Sequence, residues 1–392
     1  MSERRLSEAV WVLVSNDLTH DQRVLKTCQT LRGLGFAPQL VGREMPSSVS
    51  PPVDFPSFRL RLPFHSGALF YAALQLALVR YLWRRTKGTA GIWANDLDTL
   101  LPAFVVARLR RLPLMYDSHE LFTEAAGLTG RPLPRGVWLF VERLLVPRLR
   151  AMTTVNDAIA DTFASRYPKG TAGRPLVVRN MPRGRRPEQE APTRAPLVSA
   201  GLALTDGPLG ILQGAFLDAD RGVKEAVEVL EVRPRWQLLV VGAGPEWDWA
   251  KQQVPRFSGR LHVIPKQPYA LLAGWTRSAD WGFSLDKPVH GNYIMSLPNK
   301  LFDYIHAGLP VVASALPEVQ KVVERHQVGA LIRDHSPEAI ATAVEQVLDA
   351  PRETWLARCA TAAEVLNWEA EEPVIREALH RSGFISPRRR RA

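Results

Sequence analysis

Asn299, Lys300 and Asp303 fall close together in Ser296–Ser314, SLPNKLFDYIHAGLPVVAS, and their side chains suit recognition of a nucleotide. Pro298 fits the first turn of a helix, where a missing N–H goes unused. Leu301, Tyr304, Ile305 and Gly308 then recur at i, i+3, i+4 and i+7, an apolar face with a glycine stop. Asn299, Lys300 and Asp303 lie on another face. A helix start offers free N–H groups and the positive end of a dipole, and both draw an anion such as a phosphate. Lys300 adds a mobile positive charge there, and Asp303, one turn on, is placed to accept from two vicinal ribose hydroxyls. The plainer reading is an ordinary amphipathic helix ahead of the short strand Val311–Ala313.

The first half of the chain has its own polar clusters, and these need strands to present them. Val10–Val14 reads as a strand, Arg23–Leu34 as a helix closed by Gly35, and Gln39–Gly42 as a second strand. That unit opens a doubly wound α/β domain, whose ligands sit beyond the carboxyl ends of strands. Asn16, Asp17, Asp21 and Arg23 are thereby placed near a ligand crevice, with simple capping as the alternative. Asp96-Leu97-Asp98 has the D-x-D form of a metal site, but it heads the helix Thr99–Arg110. Its carboxylates are read as caps and the metal reading is rejected. The strand Leu114–Tyr116 ends in Asp117-Ser118-His119-Glu120, a histidine among carboxylates that would face a cleft. A structural histidine is the alternative.

The helix Ala68–Trp83 is read as core-packed, with lying on a bilayer as the alternative that Arg59, Arg61, Arg80, Arg84, Arg85 and Lys87 keep open. Val137–Leu149 is a helix, Ala151–Asn156 a strand with Asp157 capping the next helix, and Leu176–Val178 a last strand. Pro182–Pro196, rich in Pro, Arg and Glu, reads as a linker. The second half repeats the grammar, with strands Leu209–Gln213, Gln237–Val241, Leu261–Ile264, Trp281–Ser284 and Val328–Ile332. Helices are expected at Val223–Leu230, Pro337–Leu348, Trp355–Leu366 and Glu371–His380. Gly242-Ala243-Gly244 suits a tight turn or a backbone close to a ligand, and does not by itself identify a dinucleotide site.

The 392 residues suffice for two domains, and 46% hydrophobic with 23% charged residues excludes a disordered chain. Two cysteines, Cys28 and Cys359, exclude a disulfide framework and fit a cytoplasmic setting. The apolar run near the N-terminus reads as a first strand, not a signal peptide. A net charge of +11 favours polyanions. No nucleic-acid module is present, so the charge points to phosphorylated substrates near a membrane surface. The Arg388–Arg391 tail reads as a solvated end.

Ser296–Ser314 resembles the donor-binding segment of family 4 retaining glycosyltransferases (glycosyl transferases group 1), LPNKLFEYxxAGLPVVAS, with Asp303 in place of the usual Glu. NDLTHDQRVLK (Asn16–Lys26), NDLDTL (Asn95–Leu100) and YDSHELFTE (Tyr116–Glu124) resemble the same family's first domain, in the same order. The resemblance implies the GT-B fold, two Rossmann-like doubly wound domains facing a central cleft. An acceptor domain would span 1–182, a linker 183–196, a donor domain 197–367 and a basic tail 385–392. A helix at about 368–384 would pack back on the first domain. The resemblance places Gly214, Arg221, Gly244, Asn299, Lys300, Leu301 and Asp303 at the donor, and Asn16, Asp17, Arg23, Asp96, Asp117 and Glu120 at the acceptor cleft. His119 would touch the transferred sugar, while Arg221 and Lys300 neutralise the leaving diphosphate. Two departures stand out: Ala215 replaces the arginine of a Gly-Arg pair, and Met295 replaces the first of two glutamates eight apart.

The expected activity is transfer of a sugar from a nucleoside diphosphate sugar, uridine favoured, to a hydroxyl in cell-envelope polysaccharide or glycoconjugate synthesis. No cofactor, metal or nucleic acid is expected, and contact with the inner face of an anionic membrane is left open. A nucleotide-sugar epimerase using Asp96, Asp117 and Glu120, or a non-catalytic binding subunit, is the alternative.

Overall fold

Parallel strands flanked by helices organise each half of the chain. The computed structural model describes residues 8–19, 21–45, 48, 55–184, 193–289 and 291–385. The basic tail from 386 on and most of the expected linker, 185–192, lie outside the described residues. The chain divides into two units, Met1–Asn180 with Glu371–Ala392, and Met181–Ala370.

The first unit runs β1 (Ala9–Leu13), α1 (Gln22–Gly33), β2 (Ala37–Arg43), β3 (Ser57–Leu60), α2 (Gly67–Arg85), β4 (Gly91–Asn95), α3 (Leu97–Arg110), β5 (Leu114–Ser118), α4 (Pro132–Leu145), β6 (Met152–Thr154), α5 (Asp157–Arg166) and β7 (Leu176–Val177). Its strands pair in the order β3-β2-β1-β4-β5-β6-β7, all parallel. The order reverses between β1 and β4, so the loops after these strands diverge and leave a crevice at their carboxyl ends. Both strands are buried along their whole length, as a sheet covered on both faces requires.

Several boundaries differ from the sequence reading. Asn156, not Asp157, caps α5, accepting from the Ile159 N–H at 2.9 Å. Asp157 is the first helical residue and pairs with Arg174. α4 begins five residues before Val137, because Pro132 suits a helix start, and a separate 3-10 turn carries Val146–Arg148. β3 has no apolar alternation to announce it, since Ser57 and Phe58 are exposed.

The second unit runs α6 (Ala195–Ser199), β8 (Leu209–Gly214), α7 (Val223–Val232), β9 (Gln237–Gly242), α8 (Pro245–Gln253), β10 (Leu261–Pro265), α9 (Tyr269–Arg277), β11 (Trp281–Ser284), α10 (Gly291–Ile294), α11 (Asn299–His306), β12 (Val311–Ser314), α12 (Pro317–His326), β13 (Gly329–Ile332), α13 (Pro337–Leu348) and α14 (Arg352–Ala363). The strand order β10-β9-β8-β11-β12-β13 reverses between β8 and β11. Successive strand residues feed opposite layers. Ile211, Leu239, Val311 and Ala313 meet Leu301, Tyr304 and Ile305 of α11, while Leu212, Val240 and Val312 meet Val227, Leu230 and Val344. Two residues assigned to the linker, Ala195 and Pro196, already belong to α6, with Pro196 in its first turn.

A last helix, α15 (Trp368–Ser382), begins in the second unit, and from Glu371 belongs to the first. Within the first unit Ile375, Ala378 and Leu379 are buried, and Glu372 accepts from the Thr30 hydroxyl at 3.0 Å. Cys28 and Cys359 are both buried and unpaired.

Candidate functional site

Beyond the carboxyl end of β11 a single carboxylate holds two cations. Asp286 is fully buried; its Oδ1 accepts from Arg221 at 2.7 Å and its Oδ2 lies 3.1 Å from Lys300 Nζ. The Ser284 hydroxyl donates to Oδ2 at 3.2 Å. Burial pushes the Asp286 carboxyl up, but Lys300 and Arg221 outweigh it and hold it below the usual carboxylate range. Burial lowers the Lys300 ammonium and Asp286 opposes this, leaving it below an ordinary lysine. Lys300 is therefore not the mobile charge expected from the sequence: it is 8% exposed and tethered. Arg221 keeps 31% of its side chain in solvent. Its guanidinium lies 4.5 Å over the Tyr293 ring, whose hydroxyl donates to Asp218 at 2.7 Å.

Two glycines place this cluster. Gly222 has φ +72°, and a Cβ there would stand 2.5 Å from the Leu285 carbonyl, so only glycine lets the Arg221 loop rest on the chain entering Asp286. Gly244 has φ +119°, with a Cβ position 2.8 Å from the Leu217 carbonyl. The close approach it serves in this structure is to Leu217, in the loop after Gly214 at the end of β8, the tight-turn alternative read from the sequence.

Further along α11 the side chains diverge. Leu301 is wholly in the core, so it offers a ligand only its backbone. Asn299 is exposed. Asp303, half-buried, turns toward α9: its Oδ1 accepts from the Tyr269 hydroxyl at 2.8 Å and its Oδ2 from Gln213 at 3.3 Å. Gln213, Tyr269, Leu272, Thr276, Asp303 and His306 line a cavity of about 80 Å³. Arg221 and Lys300 are thus brought together, and Asp303 occupies a neighbouring position with partners of its own.

In the first unit, His119 follows β5 and stands among carboxylates. Its Nε2 is 3.1 Å from Asn95 Oδ1 and 3.5 Å from Asp117 Oδ2, and its Nδ1 is 3.5 Å from Asp96 and 4.0 Å from Asp21. Burial pushes the imidazole down, yet Asp96, Asp117 and Asp21 together raise it to about 9. Burial likewise lifts Asp96 to about 7, against the pull of His119, and Asp98 to about 6. Asp96 does not cap α3 as expected. With φ +59° it turns its Oδ1 to accept from the His119 N–H at 2.9 Å, while Asp98 is 4% exposed inside the helix.

Arg23 and Asp117, expected at the crevice, are internal. Arg23 is 2% exposed and donates twice to the Asp117 carboxylate, at 2.7 and 2.9 Å, and to the Val178 carbonyl at 2.6 Å. Thr153 also donates to Asp117, at 2.8 Å. This bidentate pair ties α1 to β5 and to the segment after β7, and it holds Asp117 well below the carboxylate range despite burial. Asn16 and Asp17 shape a turn, accepting from the N–H groups of Leu18 and Thr19. Asp21 caps α1 through the Val24 N–H. The Glu120 carbonyl accepts from the Ser118 hydroxyl at 2.7 Å, and its side chain is half-buried.

Residues 216–350 match the family model Glycosyl transferases group 1. The second unit carries a group 1 domain. No curated protein sequence matches the chain. Solved structures do, over nearly its whole length. Sucrose-phosphate synthase from Thermosynechococcus elongatus has a TM-score of 0.75 at 17% identity, covering 96% of this chain and 99% of that one. HepE of Anabaena, in complex with UDP-glucose, has a TM-score of 0.71 at 13% identity, covering 95% and 99%. The catalytic domain of starch synthase IV from Arabidopsis thaliana, bound to ADP and acarbose, has a TM-score of 0.68 at 11% identity, covering 95% and 99%. At such identities the likeness shows the fold, two Rossmann-like α/β domains of the GT-B type.

Arg221, Asp286, Lys300 and Asp303 all lie inside the group 1 domain, and Gly214 just before it. Asp286 was not among the residues singled out from the sequence. An acid two residues after a short buried strand, Trp281–Ser284, is the signal that marks it, since ligands gather at strand carboxyl ends. Tyr293 and Gln213 were missed as well, because their partners lie 75 and 90 positions away.

Proposed function

We propose that the protein is a retaining glycosyltransferase of the family 4 type, moving a sugar from a nucleoside diphosphate sugar to an acceptor hydroxyl. The observation that carries this is the pair Arg221 and Lys300 set on one buried carboxylate inside the group 1 domain. Arg221 can take phosphate oxygens bidentately, and Lys300 supplies a point charge. As the bond from anomeric carbon to diphosphate breaks, negative charge grows on the leaving oxygens, and cations already in place stabilise it. The acceptor oxygen forms the new bond on the same face, and its proton passes to the departing diphosphate. In this reading Asn299 and the start of α11 meet the phosphates, and Asp303 takes the ribose hydroxyls in place of the Tyr269 hydroxyl. His119, kept cationic, offers Nδ1–H to a sugar hydroxyl. No metal is needed for these steps. A uridine donor is favoured, and HepE with UDP-glucose and starch synthase IV with ADP make the base the quantity to measure. The acceptor would belong to a cell-envelope polysaccharide or glycoconjugate.

A nucleotide-sugar epimerase is the second reading, favoured by one observation: Asp96, lifted to about 7 beside His119, supplies an acid–base pair near neutrality. Calorimetric titration with UDP, GDP and ADP, with and without magnesium, tests the proposal. One diphosphate should bind without metal, and Arg221→Ala should weaken it by roughly tenfold to a hundredfold while the parent nucleoside binds as before. Equal losses for nucleoside and diphosphate would refute the phosphate role of Arg221. Conversion of the sugar nucleotide without any acceptor would favour the epimerase.

A further inference from the structure

The outward face of α4 is apolar where a surface helix is ordinarily polar. Leu133, Val137, Phe140 and Leu144 are exposed by 83%, 62%, 66% and 40%. At about 100° per residue they share roughly 60° of arc. The opposite side is already seated: Trp138, Glu142 and Leu145 are buried, and the Trp138 ring stands edge-on to Tyr71 of α2 at 5.0 Å and to Phe122 at 5.1 Å. The helix therefore has one apolar face spent on the core and a second, separate one left in water. α3, which packs against α4, also exposes Leu109 at 66% and Val105 at 36%. A run of large apolar side chains on a surface marks an interaction site.

The charges around this stripe have one sign. Residues 131–148 hold Arg131, Arg135, Arg143 and Arg148, and a single acid, Glu142. Glu142 is 1% exposed and bound to Arg166 and the Tyr167 hydroxyl, so it does not reach the surface. Arg135 is taken by Glu124, whereas Arg131, Arg143 and Arg148 are exposed. At the end of the neighbouring α3, Arg108 and Arg111 are exposed as well. An apolar stripe with Arg143 on one flank, Arg131 and Arg148 exposed at the two ends of the helix, and no exposed carboxylate in residues 131–148 complements an anionic bilayer: acyl chains receive the stripe, and headgroup phosphates receive the arginines. Among the described residues no helix is long and apolar enough to cross a membrane.

We infer that α4 lies in the plane of an anionic lipid bilayer, with Leu133, Val137, Phe140 and Leu144 inserted and the flanking arginines on the headgroups. The site is independent of the donor-binding cluster, so it stands whichever reaction the protein performs.

Flotation of the full chain with vesicles tests it, using phosphatidylcholine alone and phosphatidylcholine mixed with phosphatidylglycerol. The wild type should float with the anionic vesicles, release as salt rises, and leave the neutral vesicles largely unbound. The double variant Val137→Asp, Phe140→Asp should lose binding by at least about tenfold. Its thermal unfolding should match the wild type, because both side chains already face water. Val365→Asp, at a 57% exposed position of the second unit, should bind like the wild type. The inference is overturned by undiminished binding of the double variant, which would move the contact to the basic tail or another face. Equal binding to neutral vesicles, or none to either, also overturns it. So does a wild-type dimer that the double variant dissolves without any vesicle binding, which would make the stripe a contact between copies.

Discussion

Asp286 sets two cations around one carboxylate, and His119 stands as one cation among Asp21, Asp96 and Asp117. The second arrangement has a pH signature. Burial pushes His119 down, but its carboxylates carry it from an ordinary 6.5 to about 9, so folding favours the protonated ring. Its contribution to stability is complete below about pH 6.5 and drains away as pH rises to about 9. Asp96 and Asp98, raised by burial to about 7 and about 6, lose theirs at lower pH, between the ordinary carboxylate range and neutrality. Thermal unfolding followed from about pH 6 to about pH 10 should show the first unit losing on the order of 3 kcal/mol, a slope that His119→Gln removes. A flat wild-type profile would mean that the ring is neutral at pH 7. The placing of Lys300 and Asp303 on one short helix was legible, because a contiguous stretch sets it. The fates of Arg23 and Asp117 were not, since each is decided by a partner 94 positions away.

At the scale of elements, α11 depends on what lies beneath it. Tyr304 is fully buried, and its hydroxyl stands 3.1 Å from the Phe283 carbonyl and 3.3 Å from that of Ile211, bridging β11 and β8. Its ring covers Gly282, where a Cβ would come within 2.5 Å. Gly282→Ala should therefore overpack this contact, cost about 1–3 kcal/mol in urea unfolding, and shift α11 enough to weaken diphosphate binding. Unchanged stability would show that Tyr304 yields freely. Elements with period-two or helical apolar patterns, such as β8, β9, β12 and α13, could be read from sequence, because burial on one or both faces dictates those patterns. α8, with Trp247, Trp249 and Lys251 on nine residues, has no such stripe and escaped. α12 escaped despite Val319, Val322 and Val323 at helical spacing, because the strongly polar residues between them mask the pattern.

For the molecule as a whole, the division of the chain is discontinuous: the first unit takes its last segment from Glu371 onward. Besides the buried Ile375, Ala378 and Leu379, Phe384 sets its ring edge-on to Phe36 at 6.3 Å and covers Gly91 at the start of β4. A chain ending at Ala370 should lose at least about 3 kcal/mol of stability in the first unit. Hydrogen exchange would show it as lost protection in β1, β2 and β4 while β8, β9 and β12 keep theirs. Protection unchanged in β1 and β4 would make the segment an ornament. A ribosome delivers the chain from its amino end. The strands made first therefore wait, with the surface that receives Leu379 and Phe384 uncovered, until the entire second unit has emerged. The second unit can close on itself in the meantime, so in the cell the half that is begun first is the half that is finished last.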